Sequence, residues 1–325
     1  MTLVPRIVAL SGGIGGAKLA FGLSRILKDG ELVVVANTGD DFEHLGLHVS
    51  PDIDTLIYTL AGINNARTGW GRAAETWSFM SALEQLGAPT WFQLGDKDLA
   101  LNVYRTNELR SGVTLSDIVS AVVEHYGIGS RIVPMSDDPV RTIIETDMGT
   151  LAFQEYFVRE KCRPIVRRIR FDGHEQARSA PAFRALIESL TIDAFVICPS
   201  NPYLSIDPII RVPGVLKGLR ESPAPVVAVS PLVAGKSLKG PTGKIMGELD
   251  IPCSSVEVAA HYHGLIDAII IDDADARLAP AIERMGIRVV VAPIVMQSEQ
   301  DKIDLAEVVL ASARQLPTAQ SSPAI

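Results

Sequence analysis

Short, unbroken apolar runs recur at both ends of the chain. Residues 6–10 and 32–36 read as fully buried strands, with an apolar-faced helical stretch over 17–27 between them. Strands this apolar need cover on both faces, which a parallel sheet with crossover helices supplies. Strand, glycine turn, helix and strand make a βαβ unit. The rhythm returns at 194–198, 226–229, 265–271 and 289–291. The middle differs. From about 70 to 126 the spacing is helical, with Trp77, Met80 and Leu83 on one face, and then 142–145, 150–156 and 165–171 read as strands, the first two joined at Met148-Gly149. Hairpins inside a parallel, doubly wound protein mark an insertion. The pattern predicts an α/β fold: a Rossmann-like, doubly wound, mainly parallel sheet with an inserted helical/β-hairpin subdomain. The core would come from 1–62 and 190–315 and the insert from 63–189, while the tail 316–325, with Pro317, Gln320, Ser321, Ser322 and Pro323, has a disordered composition.

Composition adds constraints. The 325 residues are 47% hydrophobic and 21% charged, enough for a large core. A net charge of −8 excludes a nucleic-acid binder that relies on a broad positive field. A phosphate-bearing ligand must then be held locally, by backbone N–H groups, a few lysines or a metal ion. Cys162, Cys198 and Cys253 lie far apart and form no C-x-x-C pair, which fits a reducing compartment, the cytoplasm. No apolar run approaches the ~18 residues that a membrane span requires.

Three features carry candidate chemistry. The first is Ser11-Gly12-Gly13-Ile14-Gly15-Gly16-Ala17-Lys18 at a strand–helix junction. Glycines admit a tight turn and close ligand approach, and a helix N-terminus offers free N–H donors to an anion. Lys18 stands where a dinucleotide fingerprint needs its third glycine, and Leu19 breaks a phosphate-loop pattern. The second is acidic: Asp40 and Asp41 after the second strand, then Ser50-Pro51-Asp52-Ile53-Asp54-Thr55. Ser50 reads as an N-cap with Pro51 at the first helical position. Residues two apart on a helix diverge by about 200°, so Asp52 and Asp54 cannot both face one ligand. Asp52 answers either the helix dipole or a metal. Carboxylates at the C-terminal edge of a parallel sheet suit Mg²⁺.

The third is the loop 235–244, rich in glycine and lysine, which includes Lys239, Gly240, Gly243 and Lys244 and reads as either a diphosphate cradle or a solvated loop. Beside it, Ser200 and Asn201 end another buried strand and could hold a base or ribose, or simply form a turn. His44 and His48 read as polar loop residues. The basic tract of Arg159, Lys161, Arg163, Arg167, Arg168 and Arg170 reads as a solvated strand edge or the receiver of an acidic substrate tail.

Together the segments 11–18, 37–41, 50–55, 94–98, 134–138, 199–202 and 229–246 resemble, in order, the 2-phospho-L-lactate transferase family of coenzyme F-420 biosynthesis. The Gly95-Asp96-Lys97-Asp98 and Ser-Pro-Asp-x-Asp-Thr elements are its most specific parts. The resemblance implies a homodimeric, Mg²⁺-dependent enzyme. It would pass a phospho-hydroxy-acid group from a guanosine diphosphate-linked donor to the deazaflavin alcohol Fo and release GMP. On that reading Asp40, Asp41, Asp52 and Asp54 are metal candidates, and Asp54 and Lys97 are catalytic candidates. Gly12, Gly13, Gly15, Gly16, Ser200, Asn201, Gly240, Gly243 and Lys244 would bind substrate. Trp70, Trp77 and Trp91 would either shelter the deazaflavin or pack in a core. Asp54→Asn should then keep the fold and lose turnover. Two other classes compete: a non-catalytic nucleotide-binding regulator of the gluconeogenesis-factor type, and an NAD(P)-dependent oxidoreductase.

Overall fold

The computed structural model describes residues 5–316 except Lys239. The expected disordered tail beyond Leu316 and the lysine at 239 lie outside the described residues.

Seven parallel strands form the central sheet. The first two are β1 (Ile7–Ser11) and β2 (Leu32–Ala36), joined through helix α1 (Gly13–Ile26). A small hairpin follows, β3 (Phe42–His44) with β4 (Leu47–Val49), then α2 (Pro51–Leu60), α3 (Ser78–Gln85), α4 (Asp96–Arg110) and α5 (Leu115–His125). Next comes β5 (Arg131–Pro134), which pairs in parallel with β2. Antiparallel strands β6 (Arg141–Thr146), β7 (Gly149–Ala152) and β8 (Val166–Asp172) form a separate sheet ordered β7-β6-β8. The chain then returns with β9 (Ala194–Ile197) and β10 (Val226–Val229), the two-residue pair β11 (Leu232–Val233) and β12 (Lys236–Ser237), and finally β13 (Ala268–Ile271) and β14 (Arg288–Val291). The central order is β14-β13-β10-β9-β1-β2-β5.

Both sheet faces are covered, as the apolar runs require. Val8 and Leu10 of β1 enter one core while Ile7 and Ala9 enter the other. On the second face α1 packs against α2 and the C-terminal helix Glu299–Arg314. The doubly wound sheet agrees with the sequence pattern. One strand was hidden in the stretch read as inserted: β5 lies inside 63–189 yet belongs to the central sheet. Only Ile132 and Val133 are apolar between Arg131 and Pro134, too short a run to stand out.

Strand order reverses at β1. The chain moves from β1 to β2 and β5 on one side, then returns to β9 on the other. Open α/β sheets form a crevice at such a switch point, beyond the carboxyl ends of the strands. The turns after β2, β1, β9 and β10 therefore line one edge in that order.

Candidate active site

The two turns flanking the switch point are built against each other. The Gly12 N–H donates to Ser200 Oγ at 3.2 Å. A side chain at Gly15 would place its Cβ 2.3 Å from the Pro199 carbonyl, so this close approach demands glycine. Gly13 has φ +66°, the left-handed region that glycine enters freely, and an added Cβ there would meet open space. Asn201 caps the turn that follows, its side-chain oxygen accepting from the N–H groups of Tyr203 and Leu204.

Beside this crevice sits a buried acidic network. Asp40, Asp41, Asp52 and Asp54 are each under a tenth exposed. Asp52 accepts from the Gly13 N–H at 2.7 Å and from Asn37 Nδ2 at 2.9 Å, so it caps the N-terminus of α1 from outside the helix. Asp54 turns the other way, where Arg105 of α4, itself 1% exposed, grips both of its oxygens. Asp41 accepts from Ser50 Oγ at 2.8 Å and pairs with His48 Nε2 at 3.1 Å. Ser50 stands at the N-cap as expected, but its hydroxyl serves Asp41 and makes no cap bond to the helix.

Burial opposes ionisation throughout. Desolvation pushes the Asp40 carboxyl well above its ordinary range, and Asp52 and Asp41 push it further against a hydrogen bond from Asn37. Burial lifts Asp52 to about 6 despite its bonds from Asn37 and Gly13. Desolvation also raises Asp54, although Arg105 offsets part of the rise. Asp98 of α4 accepts from the Tyr58 hydroxyl at 2.6 Å, and burial with nearby Asp54 pushes it up to about 7. Two carboxylate oxygens, Asp40 Oδ1 and Asp41 Oδ1, are buried without a hydrogen-bond partner.

The remaining expected residues are placed as follows. Lys97 is exposed, and its ammonium donates to the Ala74 carbonyl at 2.7 Å. The Gly95–Asp98 element does structural work around it. Asp96 accepts from the N–H groups of Ser78 and Phe79 at the start of α3, while Glu75 accepts from those of Lys97 and Asp98 at the start of α4. Trp91 joins Phe42, His44 and Phe92 in an aromatic cluster, whereas Trp70 and Trp77 are exposed. Gly240 and Gly243 follow β10 and the short β11–β12 pair, and Lys244 is already engaged. Its ammonium is held by Glu248, the Pro164 carbonyl at 2.8 Å and the Tyr156 hydroxyl at 3.4 Å.

Sequence reasoning missed Arg105, Asn37 and the partner of His48. His44 also differs from a polar loop residue, because it is buried in the aromatic cluster. An arginine 51 positions from its carboxylate, on a helix of mixed polarity, leaves no local signal. Asn37 lies in the segment 37–41, three positions before Asp40, and that proximity was the available clue. The Arg105 pair also changes what Asp54→Asn does: removing one partner leaves a buried charge uncompensated, so stability falls along with any loss of turnover.

Fold and crevice together define a Rossmann-like α/β protein in which helix-end amides meet buried carboxylates. The chain belongs to the 2-phospho-L-lactate transferase CofD family, whose model matches residues 7–312. It is 38% identical over 319 residues to a phosphoenolpyruvate transferase of Kitasatospora aureofaciens, covering 96% of this chain and 98% of that relative. It is 36% identical over 304 residues to a 2-phospho-L-lactate transferase of Methanosarcina mazei, covering 94% and 99%. A crystal structure of a UPF0052-family protein from Bacillus halodurans superposes with a TM-score of 0.59 at 14% identity, covering 94% of this chain and 99% of that one. That likeness speaks for the fold alone. Family membership makes the chain a transferase enzyme rather than a regulator or an oxidoreductase. No helix among the described residues is long and apolar enough to cross a membrane.

Proposed function

We propose that this transferase passes a phospho-hydroxy-acid group from its guanosine diphosphate-linked form to the deazaflavin Fo, releasing GMP, in cytoplasmic coenzyme F-420 biosynthesis. The acid is 2-phospho-L-lactate or a close analogue such as phosphoenolpyruvate or phosphoglycerate. The observation that carries this reading is the α1 N-terminus at the sheet's switch point, bonded to Asp52, with Asp40, Asp41 and Asp54 buried in the same acidic network.

A helix N-terminus at the crevice suits a diphosphate, because its backbone N–H groups point at the anion. Ser200 and Asn201 on the opposite turn would bound the nucleotide. The donor set also fits Mg²⁺. Asp40 and Asp41 each keep a buried oxygen without a partner, and Asp40 resists ionisation until a cation relieves it. Both oxygens of Asp52 and of Asp54 are already engaged. Among the described residues no three His, Cys, Asp or Glu side chains form a metal group. Mg²⁺ commonly takes one or two carboxylates and completes its shell with water and substrate phosphates, so Asp40 and Asp41 would be the protein's share. Bound there, the ion would neutralise charge on the phosphate undergoing transfer.

The chain's own residues then position the reactants. The Fo hydroxyl oxygen attacks the β-phosphorus, the bond from that phosphorus to the GMP oxygen breaks, and the hydroxyl proton is released. Asp54, locked by Arg105, would fix the wall on which the hydroxyl is oriented. Lys97 would swing from the Ala74 carbonyl to steady the transferred group. The exposed Trp70 and Trp77 would shelter the ring, and a homodimer would cover more of this apolar surface. Purified protein with Fo, Mg²⁺ and each of the three guanosine diphosphate-linked acids should release GMP with at least one. No GMP with any of them would refute this reaction.

A further inference from the structure

We infer that a cavity beside β8, apart from the switch-point crevice, binds a small molecule carrying a carboxylate or phosphate group. The basic tract supplies the starting observation. Arg159 pairs with Glu155, Arg163 with Glu160, and Arg170 with both Glu145 and Asp172. Arg167 and Arg168 have no carboxylate partner among the described residues, and both line a cavity of about 290 Å³. Three of the tract's arginines are thus already paired, Lys161 stands exposed outside the hollow, and Arg167 and Arg168 lie at its lining.

The rest of the lining adds cation and shape. Arg211, stacked over the Phe171 ring, and His261 also line the cavity. The one acid in the lining, Asp207, is buried and already engaged, accepting from Arg211 at 3.3 Å and pairing with His261 at 2.8 Å. Three arginines in the lining against one occupied carboxylate leave a local surplus of positive charge, on a chain whose net charge is −8. The floor is apolar, made by Ile169, Phe171 and Leu249. Guanidinium forks match the planar geometry of carboxylates and phosphates and bind them through paired, charge-assisted hydrogen bonds. A concave, partly apolar hollow of this volume suits a small ligand. The occupant is therefore a compact acid with a short apolar body.

The test is calorimetric titration of the full chain in low-salt, phosphate-free buffer. The two probes are inorganic phosphate and glutarate. The Arg167→Gln/Arg168→Gln double variant should bind the preferred probe about tenfold or more weakly, the loss expected from charge-assisted hydrogen bonds. The Arg159→Gln/Arg163→Gln control, which removes cations already paired outside the cavity, should bind like the parent. Tighter binding of glutarate assigns a carboxylate ligand, and tighter binding of phosphate assigns a phosphate ester. Equal affinity in the parent and the Arg167/Arg168 variant would overturn the site, as would no binding of either probe at millimolar concentration. None of these readouts requires turnover, so they stand or fall separately from the proposed reaction.

Discussion

The chain carries two glycine-rich turns on one sheet edge, and they use glycine for different reasons. In the turn after β1, Gly15 touches the Pro199 carbonyl, and the neighbouring amides are held by Ser200 and Asp52. In the loop after β10, Gly240 has φ +74° and nothing within 4 Å of an added Cβ. Of the lysines that made this loop read as a phosphate cradle, Lys244 is tied to Glu248 and Pro164 instead. Glycine content alone therefore does not mark a phosphate site. What distinguishes the first turn is the buried network standing behind it.

That contrast can be broken by substitution. The largest effect should come from the network. Arg105→Ala or Asp54→Asn leaves a buried charge unpaired and should cost about 3–5 kcal/mol in urea unfolding. A loss below ~1 kcal/mol would show that the pair behaves as a solvated surface ion pair rather than a buried one. Gly15→Ala should come next, because overpacking against backbone costs about 1–3 kcal/mol. Gly240→Ala has room and meets only the left-handed backbone penalty of roughly 1–2 kcal/mol. Equal nucleotide affinity in both variants would erase the distinction between the turns.

An effect of a different kind should appear with pH. Asp98 titrates near 7 in the folded chain, against an unfolded value of about 3.9. Its protonated carboxyl stabilises the fold fully below the unfolded value, and that contribution is lost as pH rises through about 7. In metal-free protein the melting temperature should therefore fall from about pH 4 to about pH 7 and level above it, and Asp98→Asn should flatten the fall. An unchanged slope would remove Asp98 from the network. Smallest of all, Lys244→Ala should alter GDP affinity by less than about twofold. A tenfold loss would return Lys244 to the phosphates.

The sheet was legible because burial on both faces writes itself as unbroken apolar runs, as in β1, β2, β9 and β10. β5 was not, since two apolar residues between Arg131 and Pro134 make no pattern. The acidic positions and their divergence along α2 could be read from helical geometry, and Asp52 and Asp54 do face different partners. What binds them could not. Arg105 arrives from a distant helix, and His48 reaches Asp41 only once the hairpin of β3 and β4 closes. Such contacts are set by tertiary packing, which leaves no local spacing to detect.

The most direct measurement is a crystal structure with GDP and Mn²⁺, the ion located by its anomalous signal. The diphosphate should lie against the Gly12–Gly16 turn and Ser200, with the ion bound by Asp40 or Asp41. A diphosphate seated on the 235–244 loop, with the ion away from both aspartates, would contradict the assignment.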